Sequence, residues 1–178
     1  GPIEGGVPYD DVRKIAGILD QAGIPTQATQ EVMTYIWAKV FYNAALNPLS
    51  ALLNQTYGEL SANPYSRQIM DKVIDEAFSV AKAEMVNLWW DTAEEYRTHF
   101  YRDEVPPTSL HRSSMLQAIE QGKRTEIDFL NGAIVQRGEK HGIDASCNRL
   151  LTDLIKAREL VGEGIVKKGL GVDTPVKK

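Results

Sequence analysis

Between Glu31 and Leu46 the chain carries Val32, Met33, Ile36, Trp37, Val40, Phe41, Ala44, Ala45 and Leu46, an apolar surface over most of a helical circumference. A helix of that kind is buried, because water would otherwise face apolar side chains on nearly every side. Pro48 is expected to end or kink it, with a short helix from Pro48 to Leu53 beyond. The rest of the chain supplies further helices. Asp10 is placed to cap one carrying Val12, Ile15, Ala16 and Leu19, stopped at Gly23. Ile24 to Gln30 reads as extended. Asn63-Pro64 opens a long helix through Ile69, Val73, Ala77, Val80 and Ala81. Asp91 and Glu94 have capping-box spacing for a shorter helix toward Tyr101. After the break at Pro106-Pro107, Ser109 to Gln121 reads as helix stopped by Gly122. Thr125 caps a helix ending at Gly142, and Ser146 caps a last one through Leu150, Leu154, Ile155 and Leu160. No segment makes a convincing strand, so the expected fold is all-α, a multi-helix bundle.

Bulk properties exclude more than they identify. A length of 178 residues suits one domain with room for part of a second. A formal charge of -4 gives no general attraction to nucleic acid or an anionic membrane. No apolar run is long enough to span a bilayer and no signal-peptide pattern opens the chain. The single Cys147 rules out an internal disulfide and points to a reducing, cytoplasmic setting. No Gly-rich phosphate loop is present. His99, His111 and His141 lie far apart without metal-ligand spacing, so no metal is expected. Cys147 stands near a helix start, where a thiol pKa can fall, but an inert small side chain is the expected role. Gly1-Pro2, without an initiator Met, reads as an engineered or processing boundary with more chain upstream.

Polar residues on the buried helix are the first candidates for chemistry. Lys39, Asn43 and Asn47 recur at intervals of four and form one narrow stripe, roughly 12 Å long at 1.5 Å per residue, with Tyr35 extending it by a turn. A lysine there needs a partner or a wet cleft. An amine can polarise or protonate a carbonyl, and two amides can hold a carboxylate or hydroxyl. Taken alone, the stripe reads first as the polar edge of an amphipathic helix, its lysine reaching to water and its asparagines ordinary helix-end residues. A second cluster holds Ser114, expected in mid-helix, and Glu126, expected in the first turn of the next helix. By local rules Thr125 and Glu126 are a cap and a carboxylate at a helix N-terminus.

Taken together, these pieces resemble one family. Trp37-Ala-Lys39, Asn43, Asn47-Pro-Leu-Ser-Ala, Ser113-Ser114-Met-Leu-Gln, Arg124-Thr-Glu126-Ile-Asp128 and Asn131-Gly132 stand in the order and spacing of the C-terminal domain of ketopantoate reductases (2-dehydropantoate 2-reductases). The likeness runs from about Ala16 to Glu159, with Ala22-Gly23-Ile24 early and Asn148-Arg-Leu-Leu before Ile155-Lys156 late. It implies an oxidoreductase whose nucleotide-binding half, absent here, holds most of NADPH, with a 2-keto acid in the cleft between the halves. By the same resemblance Lys39 is the catalytic proton donor. Asn43, Asn47 and Ser114 contact substrate, and Glu126 contacts the cofactor ribose. Residues 1–30 then read as the last helix and connection of the nucleotide-binding half, 31–161 as the helical catalytic domain, and 162–178 as a flexible tail. A homodimer is the expected assembly, covering the stripe of Val12, Ile15, Ala16 and Leu19.

Two departures stand out. Tyr57 occupies a position where the family often has a substrate-binding asparagine, which bears on the identity of the keto acid. Ser146-Cys147 stands where Thr-Pro is common, a change expected to touch only a helix start. The alternatives are a non-catalytic helical dimerisation or interaction module, and a related 2-keto acid or hydroxyacid enzyme with a different substrate. The amide-lined buried helix argues against the first, and the Ser114-to-Glu126 motif against a more distant dehydrogenase.

Overall fold

A computed structural model describes residues 6–162, and among them every regular element is helical. In chain order these are α1 (Tyr9–Gln21), α2 (Val32–Leu53), α3 (Tyr57–Ala62), α4 (Pro64–Ala83), α5 (Ala93–His99), α6 (Ser114–Glu120), α7 (Asn131–His141) and α8 (Ser146–Gly162). A π-turn at Phe100–Glu104 and 3-10 turns at Pro106–Thr108 and Ile127–Phe129 link the later ones. No described helix is long and apolar enough to cross a membrane. The expected tail lies outside the described residues, apart from Gly162 at the end of α8.

The apolar α2 is the axis of the bundle, with α3, α4, α6 and α8 packed around it. Its Trp37, Phe41, Ala44, Ala45 and Leu46 meet Val73, Ile74, Ala77 and Phe78 of α4 and Tyr96 and Phe100 from the α5 end. Phe41 stacks at a tilt against Phe78 and Tyr96 at centroid distances of 5.7 and 5.1 Å. Burying each such side chain contributes about 1.5–3 kcal/mol.

Pro48 neither ends nor divides α2, which runs unbroken to Leu53. A proline leaves the carbonyl four residues earlier without its helical donor. That carbonyl, of Ala44, accepts instead from Asn131 Nδ2 at 3.1 Å. The carbonyl of Asn47 is likewise taken by Ser113 Oγ at 3.3 Å. The Asn131 side chain thus makes up the bond that Pro48 removes, which local rules do not anticipate.

Asn131 belongs to a buried polar chain. Its Nδ2 also donates to Asn148 Oδ1 at 3.0 Å, and Asn148 Nδ2 donates to Glu76 Oε2 at 2.8 Å. Glu76, buried in α4, accepts the backbone N–H groups of Cys147 and Asn148, each at 3.0 Å. The start of α8 is therefore held by a carboxylate from α4, where an anion is favoured. Ser146 is the first helical residue and not the cap, and its N–H goes to Asp144. Glu76→Ala would strand three buried donors. It is expected to cost about 3–5 kcal/mol, because each donor left unpaired costs about 1–3 kcal/mol. Thermal unfolding should show a Tm lower by about 10 °C. A change under about 2 °C would mean that water replaces the carboxylate.

Several boundaries depart from expectation. Pro8, not Asp10, precedes α1, and Asp10 sits in its first turn. Thr92, not Asp91, caps α5, accepting from Glu95 N, while Glu95 reaches back to Asp91 N at 2.9 Å. A capping box also opens α3 through Thr56 and Glu59. The expected helix from Ser109 exists only from Ser114, capped by Ser113. The carbonyls of Ser109 and His111 are engaged elsewhere, accepting from Gly58 N at 2.8 Å and Tyr57 N at 3.1 Å. Those two N–H groups are among the unsatisfied donors at the start of α3. A Cβ on Gly58 would lie 2.9 Å from the Ser109 carbonyl, so this contact requires glycine. Thr125 caps only the 3-10 turn, at 3.3 Å from Ile127 N, and the α-helix begins at Asn131. On α1, Ala16 is buried, but Ile15, Ile18 and Leu19 are exposed.

Candidate active site

A cavity of about 460 Å³ opens beside the middle of α2. That is within the range of small-ligand sites, roughly 300–1,000 Å³. Lys39, Asn43 and Asn47 line it along one wall, as their helical spacing predicts, with Tyr42 beside them. Ser114 and Glu126, from α6 and the turn before α7, line it as well. The structure thus brings all five sequence-predicted residues to one concavity. Tyr35 does not join them; its ring packs edge-on against Trp89 at 4.6 Å and is half exposed.

Each side chain has a distinct setting. Lys39 is at the exposed rim, and its amine has no hydrogen bond or ion pair among the described residues. Asn47 is buried at the floor, where its Oδ1 accepts from the Tyr57 hydroxyl at 2.8 Å. Ser114 is not in mid-helix but in the first turn of α6, and its Oγ donates to Glu126 Oε1 at 2.9 Å. Glu126 precedes the 3-10 turn, half-buried, and one carboxylate oxygen remains without a protein donor among the described residues.

Four further residues complete the lining: Tyr57, Thr108, His111 and Leu130. With Tyr42 they add three rings, those of Tyr42, Tyr57 and His111, to the lining. The Tyr57 ring lies 5.2 Å from the His111 imidazole and 5.8 Å, edge-on, from Tyr42. Thr108 Oγ1 donates to the carbonyls of Glu104 and Val105 at 3.0 and 3.1 Å. Its contact with Tyr42 at 2.6 Å therefore has the phenol as donor. Burial raises the pKa of both tyrosines, reinforced at Tyr57 by the neighbouring Tyr42 and Glu126, so both remain phenols. Tyr42 had a legible signal, three residues beyond Lys39 on the same helix. Thr108 and His111 had none, because an irregular segment carries them in.

Two groups are set aside by their surroundings. Burial, aided by Glu76, pushes the Cys147 thiol up to about 11, so it is a poor nucleophile. His99 and His141 are paired with Asp103 and Glu84, at 2.8 Å each.

An all-α bundle thus brings an amine, amides and a carboxylate to one small cavity. Residues 31–159 match the family model described as ketopantoate reductase PanE/ApbA C terminal. The chain belongs to that family, as its helical C-terminal domain. It is 41% identical over 160 residues to a 2-dehydropantoate 2-reductase of Aquifex aeolicus, covering 90% of this chain and 51% of the relative. Among solved structures, a PanE/ApbA family ketopantoate reductase from Ralstonia eutropha superposes with a TM-score of 0.77 at 33% identity, covering 91% of this chain and 51% of that one. A D-mandelate dehydrogenase in complex with NADH and anilino(oxo)acetate gives 0.76 at 28% identity, covering 86% and 50%. The chain spans about half the length of the relatives it matches.

Proposed function

We propose that this chain is the substrate-binding helical half of an NADPH-dependent 2-dehydropantoate 2-reductase, which reduces ketopantoate to pantoate. The observation that carries the reading is the convergence of Lys39, Asn43, Asn47, Ser114 and Glu126 on one cavity, in a chain similar to enzymes of that name. Residues 1–30 then belong to the nucleotide-binding half and its connection, and residues 31–161 to the substrate half.

The residues fit a dinucleotide only at one end. The open oxygen of Glu126 can accept from a ribose hydroxyl, with Ser114 holding the other oxygen. Nothing in the cavity resembles a phosphate cradle, so most of the cofactor's binding energy comes from the other half. When bound, the cofactor supplies hydride to the keto carbon. Lys39, as an ammonium, donates its proton to the carbonyl oxygen as negative charge gathers there. The neutral amine left behind takes a proton back from water at the open rim. Asn43 and Asn47 hold the substrate's polar groups, which fixes the carbonyl near the lysine.

The direct test is a nucleotide-oxidation assay with ketopantoate, using the polypeptide that contains both halves. No turnover with this substrate overturns the assignment. Glu126→Ala is expected to raise the Michaelis constant for NADPH by about 10-fold, the loss of one hydrogen bond to a charged group. An effect confined to the keto acid constant would move Glu126 to the substrate side. A second reading, a 2-keto acid with another side chain, is favoured by the rings of Tyr42, Tyr57 and His111 in the lining. The likeness to a D-mandelate dehydrogenase is consistent with it. Comparing turnover of ketopantoate with an aryl-substituted 2-keto acid separates the two.

A further inference from the structure

We propose that Tyr57 is a positioning residue that locks the Asn47 side-chain amide with its NH2 toward the cavity, making the floor of the site a donor surface. An asparagine amide has two chemically opposite ends, an acceptor oxygen and a donor nitrogen, and rotation about its last bond exchanges them. Which end faces a ligand decides whether the site attracts or repels an anion. In a buried position that choice belongs to the neighbours.

The neighbour here is the Tyr57 hydroxyl, 2.8 Å from Asn47 Oδ1. A phenol has one hydrogen, and among the described residues the Tyr57 hydroxyl makes no other hydrogen bond. Its hydrogen is therefore committed to the amide oxygen. The reversed amide would leave that hydrogen without an acceptor, which costs about 1–3 kcal/mol in a buried site. Burial raises the phenol's pKa, so the donor persists across the working pH range. Both side chains are almost fully enclosed by protein, Asn47 at 3% and Tyr57 at 4% exposure, which limits their freedom to rotate. Tyr57 itself cannot turn away. Its backbone N–H is tied to the His111 carbonyl at 3.1 Å, and its ring is flanked by Tyr42 and His111. Asn47 is tied too, through its carbonyl to Ser113.

With Oδ1 occupied, Nδ2 is the end left to meet a ligand, and among the described residues nothing accepts from it. Asn47 therefore donates from the floor and Lys39 from the rim of the same wall. Two donors on one wall suit a ligand whose acceptor-rich end, a carboxylate beside a carbonyl, lies along α2. That assignment of ligand polarity rests on the reductase reading; the amide lock does not.

The lock and the reading can be tested apart. In the chain described here, the Asn47 side-chain amide is expected to give a rigid, well-separated ¹⁵N–¹H₂ pair by NMR. In Tyr57→Phe, which keeps the ring and its packing, the order of that amide should fall while backbone signals of α2 remain in place. An unchanged Asn47 amide in Tyr57→Phe overturns the lock. In the two-half enzyme, Tyr57→Phe is expected to raise KM for the 2-keto acid about 10-fold, the loss of one oriented hydrogen bond to a charged group. The turnover number and the KM for cofactor should stay within about twofold. An unaltered keto acid KM, or a fall in kcat without a KM change, overturns the proposal as a binding device. If the parent enzyme reduces no 2-keto acid, the reductase reading falls, and the NMR comparison still decides the lock.

Discussion

Lys39→Ala in the enzyme containing both halves is expected to lower kcat by about 10²–10⁴, the usual contribution of a positioned general acid. The Michaelis constant for NADPH should hardly move. Charge develops on the carbonyl oxygen only as the hydride arrives, so an interaction there stabilises the transition state more than the bound substrate. The loss belongs in kcat and not in cofactor binding. The exposed position of Lys39 at the cavity rim, free of any described partner, fits a group that must exchange its proton with water each turnover. Steady-state kinetics with a kcat equal to the parent's would remove the lysine from the chemistry. Lys39→Arg is a useful companion, because a guanidinium keeps the charge but does not readily give up a proton.

The chain alone is expected to be folded, to show no turnover of ketopantoate, and to bind NADPH weakly at best. Its core around α2 buries Phe41, Ala44, Ala45 and Leu46 against Val73, Ile74, Ala77 and Phe78 of α4. The cofactor reading, by contrast, finds only the Glu126 carboxylate in this cavity, and a carboxylate cannot replace a phosphate loop. Holding the reactive carbon atoms together is worth about 7–11 kcal/mol of the barrier, and half a site cannot supply it. Calorimetric titration with micromolar NADPH affinity, or any measurable turnover, would show that the cofactor site has been placed on the wrong half. Association is expected as well. Ile15, Ile18 and Leu19 form an exposed apolar face on α1, and a symmetric dimer is the simplest cover when no sheet lies over it. Light scattering reporting a strict monomer at high concentration would count against that cover.

Much of the architecture was legible one element at a time. Asn63-Pro64 reads as a helix start because the cap and the proline act within two residues, and α4 begins there. Gly142 reads as a stop because glycine tolerates φ of +66°, and α7 ends there. Two other boundaries differ because a distant group changes the balance. Pro48 was expected to interrupt α2, and Asn131 removes the reason for an interruption. Ser109 was expected to begin a helix, but its carbonyl is held by Gly58. Thr56-x-x-Glu59 was a missed signal, a capping box in plain view.

The sequence by itself determined the helical class, the buried axis and the polar stripe of Lys39, Asn43 and Asn47 on it, because a helix places residues four apart on one face whatever surrounds it. Its resemblance to a family supplied the roles of the stripe as expectations. Tertiary structure alone decided which groups stand opposite the stripe. Ser114 and Glu126 lie far along the chain, and their hydrogen bond beside the stripe comes from the packing of α6 against α2 and from the turn before α7. Tyr57 and His111 were legible only as departures or as an isolated histidine. They reach the wall because Tyr57 and Gly58 bind the carbonyls of an irregular segment. The orientation of the Asn47 amide was likewise undetermined until a hydroxyl ten residues away was found 2.8 Å from its oxygen. Periodicity carries information along one helix; a hydrogen bond between elements depends on where both have packed.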